Sequence, residues 1–268
     1  MRRAGRRAVA LVVSLALVVP AAGCWRDRWP LPGPRPWPSG VAPSWQWQLS
    51  GELDADVDAE VFVLDPFTTT IEETGRLRGR DRRLICYVRA GSYERSRPDA
   101  ARFPERLLGG AVAADGRRWL DVRQWEVLRP ILADRFRLCR GKGFDSVLVA
   151  DVDGYARSPG FPLGFDDQLL FNRRLAELAR SLDLSPGLGN DLPQVAALAP
   201  DFDFALNEEC VRLRQCERLL PFADAGKPVF HVEYEGTTET FCATSLGYGF
   251  SSIRKERALG AWRAPCPA

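Results

Sequence analysis

The sequence predicts an α/β chain folded as a (β/α)8 TIM barrel, and three observations carry that prediction. From Ser44 onward eight short runs rich in β-branched and aromatic residues recur along the chain. Stretches with helical periodicity lie between them, and acids, amides and tyrosines gather where the runs end. Roughly 225 residues for eight alternations suit a barrel, for which about 250 is usual. An open doubly wound sheet is the competing architecture, but the glycine-rich phosphate loop it often carries is absent, as is a Walker sequence.

The elements follow in chain order. Residues 1–23 carry four arginines (Arg2, Arg3, Arg6, Arg7), then an apolar run from Ala8 to Val19, then small residues up to Cys24. This is the order of a secretory signal, and the apolar run is too short to span a bilayer. Cys24 directly after Ala22-Gly23 resembles the lipobox of bacterial lipoproteins, which makes Cys24 the expected lipidation site and the membrane the expected anchor. The chain is then expected outside the cytoplasm, lipid-anchored or, if cleaved as a plain signal, secreted. Residues 24–43 are rich in proline and include Trp25, Trp29 and Trp37, and read as a semi-rigid stalk, with packing along the domain as the alternative. Residues 44–268 form the barrel domain.

Composition narrows the function. Of 268 residues 46% are hydrophobic and 27% charged, ordinary for a globular chain with a sizeable core. The four leader arginines exceed the net charge of +2, so the remaining domain is slightly acidic and offers no electrostatic case for nucleic acid. Six cysteines remain in the exported part, an even number that suggests disulfides in an oxidising compartment, with fifteen pairings open. Cys210 and Cys216 fall in a helix-like stretch, so each is expected to pair elsewhere. With one histidine, His231, and no Cys-x-x-Cys, neither a metal nor a cofactor is expected.

The expected strands are Trp45–Leu49, Glu60–Asp65, Leu84–Ala90, Ser146–Val152, Pro186–Asn190, Phe202–Glu208, Pro228–Tyr234 and Phe250–Arg254. Trp125, Leu128, Leu132, Phe136 and Cys139 share one helical face, as do Phe171, Leu175 and Leu178. A barrel concentrates chemistry at the carboxyl ends of its strands. Those ends carry Asp65, Tyr87 with Ser92 and Glu94, Asp151 and Asp153, Asn190 and Asp191, Asn207 and Glu208, and Glu233 with Tyr234. A crown of carboxylates, amides and tyrosines suits glycoside chemistry, whose oxocarbenium-like transition state needs one proton donor and one anion.

Tyr87 to Asp99, Trp119 to Arg123, Lys142 to Asp145, Val152 to Tyr155, Asn207 to Cys210 and Gly226 through Tyr234 resemble glycoside hydrolase family 114, the endo-α-1,4-polygalactosaminidases. The resemblance runs from Trp45 to Cys266 in the family's order, and implies a barrel acting on galactosamine-rich exopolysaccharide; the expected partners are that polysaccharide and, through the N-terminal lipid, the membrane, and the chain is expected to be a monomer. There are departures. Where the family's fourth strand ends Glu-Pro-Asp-Asn-x-Asp-Gly-Tyr, this chain reads Leu148-Val149-Ala150-Asp151-Val152-Asp153-Gly154-Tyr155. The resemblance implies a catalytic pair of that Asp, here Ala150, with Glu208; a lysine that usually precedes the strand-five Asn is here Gly189.

Two readings follow: Asp151 or Asp153 supplies the anion, or the chain binds polysaccharide without cutting it. Regular strand alternation would turn residue 151 toward the helices, unless the strand ends or bulges there. Glu208 is the expected proton donor. Asp65, Tyr87, Glu94, Tyr155, Asn190, Asn207, His231, Glu233 and Tyr234 are the expected substrate-binding residues, with Glu94, Arg97 and Asp99 alternatively holding their loop by mutual ion pairing.

Overall fold

The computed structural model describes residues 35–38, 43–112 and 116–267; the expected signal segment, Cys24 and most of the 24–43 stretch lie outside them. All eight expected strands form: β1 Trp45–Gln48, β2 Val61–Leu64, β3 Arg83–Arg89, β4 Ser146–Ala150, β5 Ser185–Gly189, β6 Phe204–Glu208, β7 Val229–Glu233 and β8 Ser251–Arg254. They pair in parallel in chain order from β1 to β8, giving a (β/α)8 TIM barrel. Helices α1 Ile71–Arg78, α2 Trp125–Gly141, α3 Phe165–Ser181, α4 Val195–Leu198, α5 Leu220–Ala223 and α6 Thr238–Gly247 cover it. The expected stripes on α2 and α3 are buried against the sheet. Among the described residues no helix is long and apolar enough to cross a membrane.

Strand alternation divides the core in two. Outward residues such as Phe62, Leu84, Val147, Val149 and Leu188 pack under the helices, while inward ones such as Trp45, Trp47, Ile85, Leu148, Phe204 and Phe230 fill the barrel. β5 contributes inward only Ser185, Gly187 and Gly189. A Cβ on Gly187 would stand 2.0 Å from the Phe204 ring, so glycine there lets the neighbouring strand's aromatic occupy the interior.

Between β8 and β1 no strand ladder forms, and the seam is closed by side chains and the C-terminal segment. Arg263 donates to the Trp45 carbonyl at 2.7 Å, Gln46 to Ala261 at 2.6 Å and Trp45 Nε1 to Ser251 at 3.0 Å. The fully buried Lys255 ammonium donates to Gln46 Oε1, Gly260 and Trp262; burial pushes it down to about 8.

Three differences from the sequence reading have physical causes. An antiparallel sheet of Ser92–Tyr93, Leu108–Ala111 and Arg118–Leu120 rises between β3 and α2, built partly from glycines that carry weak strand signal. The disulfides are Cys86–Cys139, Cys242–Cys266 and Cys210–Cys216, the last contrary to expectation. Residues 209–215 are not helical but turn back through left-handed Glu209 and Arg214, and Gln215 N donates to Cys210 O at 2.8 Å, closing the loop. Finally, residues 35–38 of the expected stalk lie against the barrel. Trp37 packs on Phe204 and Phe230 with ring centroids at 4.9 and 5.7 Å, donates to Ser185 Oγ at 2.9 Å, and is covered by the Arg83 guanidinium at 4.1 Å. Those partners sit at the amino ends of β3, β5, β6 and β7, so Trp37 stoppers the end opposite the mouth.

Trp37→Ala should therefore lower unfolding stability by about 2 kcal/mol in urea titration, from lost apolar burial and ring contacts. An unchanged midpoint would return this segment to the role of a free stalk.

Candidate functional site

The carboxyl ends of β3 to β7 frame the mouth. Glu208, last in β6, points inward, and both its oxygens accept from neutral donors: Asn190 Nδ2 to Oε1 at 2.9 Å and the Tyr234 hydroxyl to Oε2 at 2.5 Å. Asn190 Oδ1 accepts in turn from the Glu208 backbone N–H at 2.9 Å and from Asn207 Nδ2 at 3.1 Å, fixing the amide so that its NH2 faces the carboxyl. Burial, reinforced by the Glu208 carboxylate, pushes the Tyr234 hydroxyl far above its ordinary range, so it remains a donor. No arginine pairs with Glu208 among the described residues.

Asp151 meets the mouth by leaving the strand. β4 ends at Ala150, whose methyl belongs to the barrel interior, and Asp151 adopts a left-handed conformation with φ 57°. This turn undoes the alternation that would have aimed residue 151 at the helices. Its Oδ2 accepts from Ser92 Oγ and from Arg117 Nη1 at 2.9 Å, with Arg89 Nη1 at 3.7 Å. Asp151, Asp153, Gly189, Asn190, Glu208 and Trp119 line one cleft of about 530 Å³. Asp153, Asn190 and Glu208 also line the neighbouring cleft of about 550 Å³, which holds Asn207, Asp191 and Arg218 as well. Glu94 and Arg117 border a third of about 630 Å³.

Gly189 explains the missing lysine sterically: a Cβ there would stand 2.7 Å from the Val149 carbonyl and 3.4 Å from Ala150 Cα. Positions 150 and 189 therefore face one spot, and both side chains are minimal.

The remaining expected residues divide. Asp153 is held by Arg157, whose Nε and Nη2 reach Oδ2 at 2.9 and 2.6 Å, while still lining the cleft. Tyr87 is buried in the barrel below the mouth, between Trp47 and Arg89. Tyr155 packs edge-on against Phe165, its hydroxyl buried. Asp65 is not at the substrate surface: it is buried, accepting from Arg97 at 2.6 Å and from Phe67 N at 2.8 Å. Glu94 also holds Arg97, at 2.8 Å, so the ion-pairing reading describes this loop, except that Asp99 pairs with Arg135 instead.

His231 and Glu233 do not line the cup. Register pairs His231 with Asn207 and Val232 with the inward Glu208, so His231 and Glu233 face the helix layer. His231 stacks edge-on against Phe241 and shares hydrogen bonds with Ser252 and Glu233, whose Oε1 also accepts from Val211 N and Arg212 N. Together they brace the Cys210–Cys216 loop. Cys210, Cys216 and His231 are also the group with metal-ligand proximity among the described residues, and there the two sulfurs are bonded to each other.

Sequence reading places Asp191 and Ser92 at strand ends without making them site residues, and passes over Arg117 altogether. Asp191 follows Asn190 in a second left-handed turn and is 2% exposed. Asn172 Nδ2 donates to its Oδ2 at 2.9 Å, while Oδ1 and the nearby Tyr155 hydroxyl make no hydrogen bond of ordinary geometry. Burial, then the Asp153 carboxylate, push this carboxyl up to about 8.

A barrel mouth that brings one carboxyl among neutral donors and another among guanidiniums to a shared cleft is the architecture of a carbohydrate-cleaving enzyme. The chain belongs to the glycoside-hydrolase family GH114, which matches residues 31–268, and is a glycoside hydrolase. It is similar to Ega3 of Aspergillus fumigatus, whose crystal structure is a complex with galactosamine: 31% identity, TM-score 0.81, covering 86% of this chain and 97% of that one. The glycoside hydrolase domain of PelA from Pseudomonas aeruginosa superposes with TM-score 0.67 at 13% identity, covering 83% and 98%. An α-galactosidase from Thermus thermophilus, at TM-score 0.52 and 15% identity, covering 82% and 59%, shares the fold. No curated protein matches the sequence.

The Asp191 environment generates a pH prediction. Its folded value of about 8 exceeds the unfolded 3.8, so between those limits the folded chain binds more protons and loses stability as pH rises. Asp191→Asn removes that dependence. Its stability relative to wild type should rise from pH 5 to pH 8, by at most about 1.4 kcal/mol per pH unit, in thermal or urea unfolding at each pH. Parallel curves would show an ordinary acid at 191.

Proposed function

We propose that this chain hydrolyses galactosamine-rich exopolysaccharide, as an endo-α-1,4-polygalactosaminidase-like enzyme, with Glu208 as proton donor and Asp151 as the anion. The observation that carries this reading is the shared cleft of Asp151 and Glu208, one carboxyl bonded only to neutral donors and the other paired to arginine. Glu208 delivers its proton to the glycosidic oxygen as the bond from that oxygen to the anomeric carbon breaks. Asp151 faces the positive charge developing on the sugar, and water supplies the hydroxyl that ends on the anomeric carbon while its other proton returns to Glu208. Asp153 shapes the cleft beside them, and Asn190, Asn207 and Tyr234 hold Glu208. The galactosamine in the Ega3 complex supports the substrate class, and the adjoining clefts offer room for more than one sugar unit.

A second reading rests on Ala150: a cup that retains such polymer without cleaving it. Purified domain mixed with deacetylated polygalactosamine separates the two. Reducing ends should accumulate, and Glu208→Gln should lower their rate by about a hundredfold or more while the melting temperature holds. Retention of polymer without new reducing ends would establish the binder.

The leader supports an exported lipoprotein held at the membrane through Cys24, or a secreted form if cleavage is of the plain type, and the chain is proposed to act as a monomer. Cys24→Ser should move the protein from the membrane fraction to the soluble exported fraction; unchanged fractionation would remove Cys24 as the anchor.

A further inference from the structure

An anion displaced by one position from the end of a strand needs support that the original position did not. Asp151 sits in a left-handed conformation, which non-glycine residues hold only where neighbours over-determine it. Those neighbours form a built unit. Gly91 passes so close that a Cβ there would stand 1.8 Å from the Asp151 carbonyl oxygen, and Gly91 N lies 3.4 Å from the Ala150 carbonyl. Ser92 Oγ and Arg117 Nη1 then bond the same carboxylate oxygen.

Resting on the hydrolytic role of Asp151 given above, we infer that Arg117, assisted by Ser92, is a positioning residue that holds this relocated anion at the mouth and so compensates for Ala150. Arg117 comes from no barrel strand. It enters from the antiparallel sheet between β3 and α2, and the next residue, Arg118, ties that sheet down through Gly109 O at 2.9 Å and Leu108 O at 2.7 Å. The sheet is bonded in turn to the segment after β4, Gly110 N to Pro159 O at 2.8 Å. Arg117 and Asp151 are each 17% exposed, so the pair is largely shielded from solvent. Arg89 backs it from β3 and is itself drawn toward Glu94 at 3.4 Å; Glu94 pairs with Arg97 and Arg97 with Asp65. This alternating row explains why acids that resemble sugar ligands in the sequence are spent on arginines instead.

The test is a double-mutant cycle on reducing-end release from deacetylated polygalactosamine. Arg117→Ala should lower kcat by about a hundredfold, with KM changing by less than about threefold, and Arg117→Lys should recover part of the loss. Ser92→Ala should lower kcat in the same direction by less. When Ala150→Asp restores a carboxylate on the barrel face, adding Arg117→Ala should cost under about threefold, because the clamp then serves no acting anion. Circular dichroism and melting of each variant separate misfolding from lost turnover. An unchanged kcat in Arg117→Ala, or an equal loss with Asp at 150, overturns the clamp while leaving hydrolysis intact. A wild-type chain without turnover overturns the role of Asp151 itself.

Discussion

The two-residue alternation of eight parallel strands is the constraint on which the mouth depends. It fixes which side chains fill the barrel and which pack beneath the helices, and the hydrogen-bonded register transmits that assignment from strand to strand. Once Glu208 is inward, Val232 beside it is inward, Tyr234 stands one pleat above to donate to Glu208, and His231 is committed to the helix layer. The same rule applied to β4 makes Ala150 the inward residue. The rule is escaped at the residue after that strand, as it is at Asn190 after β5, and there the chain uses a left-handed aspartate, a conformation asparagine and aspartate tolerate better than most residues.

The two carboxyls occupy contrasting surroundings, and the contrast comes from different layers of the fold. Glu208 is held by Asn190, fixed in its own left-handed turn after β5, and by Tyr234 of the segment after β7, neutral groups that donate to both its oxygens. Asp151 is held by guanidiniums from β3 and from the added sheet. The barrel strands alone account for the first environment, and only the insertion between β3 and α2 accounts for the second.

That division decides what could be read from sequence. The eight strands were legible because each is a short apolar run bounded by turn residues, and even Ser185–Gly189, with its proline and two glycines, fell within one residue of expectation. The faces were not legible, because β7 reads Val-Phe-His-Val-Glu and is buried on both sides, so alternation gives two faces without naming them. Cys210 with Cys216 was misread for a related reason: Glu209 and Arg214 reverse the chain in left-handed conformations that carry no glycine to announce them. Arg117, and the role of Ser92 at its strand end, were invisible because their partner lies 34 and 59 residues away, joined only by tertiary structure.

The opposite end of the molecule completes the geometry. Trp37 and Arg35 seal the amino ends of the strands, Arg35 reaching Asp81 and the buried Asp145, so the chain enters the barrel from below. The C-terminal segment runs along the seam instead, where Arg263 donates to the Trp45 carbonyl and Lys255 ties the Gly260 and Trp262 carbonyls to Gln46 of β1. The C-terminal segment also reaches the mouth, where Arg257 pairs with Glu209 at 2.9 Å and lies over the Tyr234 ring at 4.7 Å. The clefts at that face are bordered by the added sheet on one side and the Cys210–Cys216 loop on the other, while Trp37 lies at the opposite end of the barrel.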